Sequence, residues 1–127
     1  MENLMKGFIL NNNYKLVSVD KDNEICIMEA IIDESSLNPS GIVHGGYMFG
    51  LADTAAGVLA YSLIGKSVTL NSTIDYYHPV TGTKIEAVAE CIKKGTKVSV
   101  FEVCIYDDKE VLVSRANITY YSLSDNN

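Results

Sequence analysis

Hydrophobic and polar positions change period along this chain, and the changes mark out its elements. Residues 14–19 and 24–32 read as two strands flanking an Asp20-Lys21-Asp22-Asn23 turn. Residues 33–42, rich in Asp, Ser, Asn, Pro and Gly, read as a loop. From 45 to 64, apolar and small residues run almost without interruption over a helical length, and Gly65 supplies the C-cap. Beyond it, alternation takes over. In 67–78, Val68, Leu70, Ile74 and Tyr76 fall on one face, and Thr69, Asn71, Thr73 and Asp75 on the other. In 84–92, Ile85, Ala87, Ala89 and Cys91 oppose Lys84, Glu86 and Glu90. Strands 98–106 and 110–123 follow the Lys94-Gly95 and Asp107-Asp108-Lys109 turns. A short amphipathic start, 2–10, runs into Asn11-Asn12-Asn13, and the polar tail from about 124 is expected to fray.

Two strands, one long helix and four more strands predict an α+β fold. One helix cannot cover a large sheet on both faces, whereas a curved antiparallel sheet can wrap around one central helix. The helix is apolar or small almost all round, as an enclosed helix must be. At 127 residues the chain is expected to be a single domain, 1–127, burying roughly two-thirds of its unfolded surface.

Composition narrows the partners. Sixteen acids against ten bases give a net charge of −6, which argues against nucleic acid. No run reaches the ~18 apolar residues of a membrane span, and MENLMKGFIL lacks a signal-peptide layout. Cys26, Cys91 and Cys104 are scattered over three expected strands, so buried, reduced thiols and a cytoplasmic location are expected. His44 and His78 are too few and too far apart to favour a zinc site.

The chemistry concentrates in NPSGIVHGGYMFGLADTAAG, Asn38 to Gly57. Asp53 is an acid inside an apolar helix, and burying a carboxylate is costly unless it is paired or hydrogen-bonded. Gly45-Gly46 opens the helix, where unpaired N–H groups and the positive end of the dipole can meet a developing oxyanion. Gly46, Gly50, Asp53 and Gly57 line up as one stripe. Either another element packs closely on it, or a substrate channel runs along it to Asp53. His44 is either a helix cap or a hydrogen-bonding group at the oxyanion site, and Asn38 either starts a turn or aims its amide at the same carbonyl oxygen. His78 reads as a strand end. Lys93-Lys94-Gly95-Thr96-Lys97, the densest basic cluster, is solvated charge or a contact for an anionic cofactor. G-x-S-x-G, G-x-x-x-x-G-K-[ST] and G-x-G-x-x-G are absent.

Asn38-Pro39-Ser40-Gly41-Ile42-Val43-His44-Gly45-Gly46, followed by Leu51-Ala52-Asp53, resembles the hotdog-fold acyl-CoA thioesterases of the phenylacetate-degradation type. The match runs on through Tyr76-Tyr77-His78-Pro79 and the four-strand order, covering nearly the whole chain. The resemblance implies a hotdog fold that pairs with a second copy into one continuous sheet, with the active site at the dimer interface. The Gly45 N–H, aided by Asn38, would polarise the thioester carbonyl. Asp53 from the partner subunit would activate water or attack directly. Thr69 would help hold the water, and His44 would sit near the sulfur. Gly46, Gly50, Tyr47 and Met48 are the expected substrate contacts. An acyl-CoA substrate, no cofactor beyond its CoA moiety, no metal, and a homodimer assembling into a homotetramer are also implied. The rival reading is a hotdog domain that binds acyl-CoA without hydrolysing it. A hydratase on the same fold is the further alternative, but the chain lacks the pairing of a helix histidine with an acid that such enzymes usually carry.

Overall fold

The alternation of residues 84–122 builds the centre of the fold. In the computed structural model, which describes residues 7–124, β4 (Lys84–Lys93), β5 (Val98–Asp107) and β6 (Leu112–Ser122) form consecutive antiparallel hairpins. Their inner positions Ile85, Ala87, Ala89, Phe101, Val103, Ile105 and Ile118 are completely buried. The earlier strands β1 (Tyr14–Asp20) and β2 (Ile25–Ile31) add through β2 to β4, and β3 (Ser67–Tyr76) adds to β6. The result is one six-stranded antiparallel sheet of order β1-β2-β4-β5-β6-β3, with β1 and β3 as its edges. A four-residue helix, α1 (Phe8–Asn11), precedes it. The sequence-predicted strand bounds agree within about two residues.

The long helix α2 (Gly45–Ile64) packs against all six strands. It buries Met48, Leu51, Val58, Leu59 and Ile64 together with Ala52, Ala55, Ala56 and Ala60. The alanines let the sheet close on the helix, and each large residue contributes about 1.5–3 kcal/mol by leaving water. One expectation is corrected here. By length and composition α2 could cross a membrane, but its apolar surface is used under the sheet, and more than half of its span is buried. Gly65 caps α2 as expected, with φ 76° and its N–H donating to Tyr61 O at 3.1 Å.

The faces of β3 differ from simple alternation. The ladder to β6 shifts register between Thr69 and Asn71, so Leu70 is an extra, bulged residue. A bulge inverts the parity of everything beyond it. Thr69 pairs with the buried Tyr120 and therefore faces α2, as do Ile74 and Tyr76 further on. Val68 and Leu70, expected on the same face as Ile74, are instead 46% and 58% exposed.

All three cysteines are free and lie in strands, but only Cys26 is buried; Cys91 and Cys104 are half-buried, on strands whose other face meets water. Burial pushes the Cys26 thiol up to about 12. At the C-terminal end, Leu123 N–H donates to Lys66 O and Ser124 N–H to Ser122 Oγ, so the chain is held as far as 124. Of the frayed tail expected from about 124, residues 125–127 lie outside the described residues, as do 1–6 of the amphipathic start.

Candidate active site

The loop before α2 is built around Asn38. Its Oδ1 accepts from Ser40 N–H at 2.9 Å and Ile42 N–H at 3.1 Å, while its backbone exchanges bonds with Ile42 O and Gly41 N. Two N–H donors on one atom identify that atom as the oxygen. The Nδ2 amide then remains the group with hydrogens to donate. A 3-10 turn, Glu34–Ser36, capped by Asp33, pins the loop from behind: His44 N–H donates to Ser36 O at 2.8 Å and Val43 N–H to Val80 O at 2.9 Å.

His44 caps the helix. Its Nδ1 accepts from Gly46 N–H at 2.9 Å, so the neutral ring carries its proton on Nε2, and the side chain is exposed. The Gly45 N–H has no acceptor among the described residues and sits in the first turn, at the positive end of the helix. A contact not anticipated in the sequence holds this turn. Tyr76 Oη donates to Gly45 O at 2.7 Å, and a Cβ at position 45 would lie 3.1 Å from Tyr76 Cζ, so the ring packs closely on the glycine. Burial pushes the Tyr76 hydroxyl upward and keeps it a donor.

Asp53 is half-buried two turns further along α2. Thr69, expected to help hold the water, instead donates its Oγ1 hydroxyl to Asp53 Oδ1 at 2.8 Å within the same copy. Sequence reasoning missed Tyr120, whose hydroxyl lies 2.7 Å from the same Oδ1 and 2.6 Å from the Asp53 main-chain oxygen. Tyr120 is 4% exposed, and burial first, then the charge of Asp53, pushes its hydroxyl well above the usual tyrosine range. Oδ2 has no donor among the described residues.

Gly45 and Asp53 are separated by eight residues, about 12 Å along the helix axis. One reacting carbon and its oxygen cannot touch both groups of the same copy.

The glycine stripe is closely packed. A Cβ at Gly50 would meet Tyr14 Oη at 2.5 Å and Phe8 Cζ at 3.3 Å, and one at Gly57 would meet Tyr120 Oη at 3.3 Å. The Gly46 N–H is taken by His44. Tyr47 donates its hydroxyl to Asn12 O and accepts from Tyr14 Oη at its own carbonyl. Met48 is buried, and it joins Ile42, Gly45, Tyr76 and His78 around a shallow cavity of about 240 Å³ at the helix start. A larger, mainly apolar cavity of about 840 Å³ lies along Thr54, Gly57, Val58, Tyr61 and Tyr120. In the basic hairpin, Lys94 pairs with Glu24 at 3.5 Å. No group of three or more His, Cys, Asp or Glu among the described residues is placed to hold a metal ion.

Residues 40–114 match the family model of the thioesterase superfamily. ComA2 of Bacillus subtilis (strain 168), provisionally named an esterase, is 30% identical over 105 residues, covering 80% of this chain and 83% of that protein. A structure of a hypothetical thioesterase protein with coenzyme A from Streptococcus pneumoniae TIGR4 is 28% identical, with TM-score 0.83 and coverage of 91% of this chain and 89% of that one. The PaaI protein of the E. coli phenylacetic acid degradation operon has the same fold at TM-score 0.85 and 21% identity, over 91% of this chain and 83% of that one.

Proposed function

Because this chain belongs to the thioesterase superfamily, with the hotdog fold of its relatives, we propose that it hydrolyses acyl-CoA thioesters to a free acid and CoA. The observation that carries this is the pairing of two open groups on α2. Among the described residues the Gly45 N–H lacks an acceptor at the helix start, and Asp53 is held by one oxygen with the other open. A thioester needs little more than these. One oxyanion donor is worth about 3–4 kcal/mol, and a positioned base adds roughly 10²–10⁴ in rate.

The carbonyl oxygen is bound by Gly45 N–H and Asn38 Nδ2 of one copy. Asp53 of the partner subunit either takes the proton of a water that attacks the carbonyl carbon or attacks that carbon itself. Thr69 of the partner subunit holds that carboxylate and the water beside it. On the first route, collapse of the tetrahedral intermediate breaks the C–S bond and the CoA thiol leaves with the proton taken from the water. On the second, CoA leaves as the thiolate, and a water then hydrolyses the acyl–Asp53 anhydride, freeing the acid and the Asp53 carboxylate while its proton goes to the thiolate. His44, with its proton on Nε2, stands at the entrance to the helix and faces the sulfur. Met48, at the cavity beside Gly45, is the expected substrate contact placed to flank the acyl group; Gly50 lies under Tyr14 and Phe8, and Gly46 and Tyr47 are engaged by His44, Asn12 and Tyr14. No step calls for a metal or a cofactor other than the CoA of the substrate.

The ~12 Å between Gly45 and Asp53 within one copy supports a site that a second copy completes. β3 is the edge where it adds. This strand is ten residues long, unpaired on its outer side, and exposes Val68 and Leu70. Two copies joined there form the active homodimer, and two dimers the homotetramer. Free thiols and an acidic surface fit a cytoplasmic enzyme that engages neither membrane nor nucleic acid.

Free CoA release, read with a disulfide reagent across short, medium, long and aryl acyl-CoAs, tests the proposal. A blank without substrate accounts for the protein's own cysteines. Wild type should release CoA, and Asp53→Ala should lower kcat at least about 10²-fold while keeping its assembly. Binding of acyl-CoA without release would make the protein a binding module instead.

A further inference from the structure

Tyr120 does more than satisfy a buried hydroxyl. The Asp53 main-chain oxygen at 2.6 Å would be acceptor enough, yet the same hydroxyl also lies 2.7 Å from Asp53 Oδ1. Three features hold it there. Tyr120 pairs with Thr69 across the β3–β6 ladder, so both hydroxyls reach the same carboxylate oxygen. Its ring stands edge-on to Phe101 at 5.6 Å and 87°, in the core between sheet and helix. Gly57, one turn beyond Asp53, leaves the space the hydroxyl occupies, since a Cβ there would lie 3.3 Å from it.

A carboxylate with two donors on one oxygen and none on the other has a fixed orientation. We propose that Tyr120 is a positioning residue of this site, pinning Asp53 Oδ1 together with Thr69 so that Oδ2 meets the water or the thioester carbonyl. The inference rests on the thioesterase reading. Tyr120 itself touches no substrate; it acts through Asp53, and burial keeps its hydroxyl protonated and donating.

The test is Tyr120→Phe in the full-length protein, assayed by CoA release and compared with Asp53→Ala and with Asp53→Ala/Tyr120→Phe. Phenylalanine keeps the ring against Phe101, and the Asp53 carbonyl keeps its helical partner. The expected result is a kcat lower by about 10- to 100-fold, the effect of one hydrogen bond to a charged group, with KM within about twofold. In the Asp53→Ala background the same change should lower neither the residual rate nor acyl-CoA affinity, because a positioning role ends with the carboxylate. Gly57→Ala is a second variant, crowding the hydroxyl without removing it; a smaller loss in kcat, again at constant KM, is expected. Wild-type kcat in Tyr120→Phe, or an equal loss with and without Asp53, overturns the inference. Wild-type-like turnover in Asp53→Ala overturns the thioesterase mechanism itself, so the two failures are distinguishable.

Discussion

Asn38 has two ends with different tasks. Its carboxamide oxygen organises the loop by accepting from Ser40 and Ile42, and its Nδ2 is left to donate. Asn38→Asp separates the two, because the aspartate keeps an acceptor for both N–H groups, loses the amide donor and places a charge beside the developing oxyanion. We predict a kcat/KM about 10²–10³-fold lower and a Tm within about 3 °C of wild type, measured by CoA release and thermal unfolding. A large fall in Tm would show that the loop role was disturbed as well. At this scale the sequence was readable wherever a polar group stood out from its surroundings. Asp53 in an apolar run, Gly45 after a histidine and Asn38 in a loop all did so. Tyr120 did not, because Tyr120 and Tyr121 are equivalent in an alternating strand. Only the register opposite Thr69 selects the one that reaches Asp53.

Among elements, the helix and its stop were legible because an unbroken apolar run ends at a glycine. Gly65 adopts φ 76° and ψ −155°, a region open essentially to glycine alone, and a Cβ there would lie 2.5 Å from Ser124 Oγ. Gly65→Ala should therefore reduce unfolding free energy by about 1–3 kcal/mol, measured by urea denaturation, with the m-value unchanged. A loss below about 0.3 kcal/mol would mean that the cap relaxes into another geometry. The bulge at Leu70 was not legible. Inserting one residue leaves alternation intact on either side, so a single phase through 67–78 looks consistent and puts Thr69 on the wrong face. Pairing with β6 settles the phase, and that pairing is what brings Thr69 to Asp53.

For the whole molecule, a curved sheet gripping one helix could be read from element order and the enclosed character of α2. The strand order β1-β2-β4-β5-β6-β3 could not, because the β2–β4 and β3–β6 pairings are non-local and leave no mark on periodicity. That order leaves β3 at an open edge, with Thr69 and Tyr76 holding the two ends of the site on α2. The central claim is that one copy supplies the oxyanion donors and the other the carboxylate. Mixing Asn38→Asp and Asp53→Ala proteins after subunit exchange tests it most directly. Each mixed dimer has one doubly altered site and one intact site, so an equimolar random mixture should regain roughly a quarter of wild-type CoA release. Activity no greater than the mean of the two parents, with exchange verified by differently tagged subunits, would contradict a shared site.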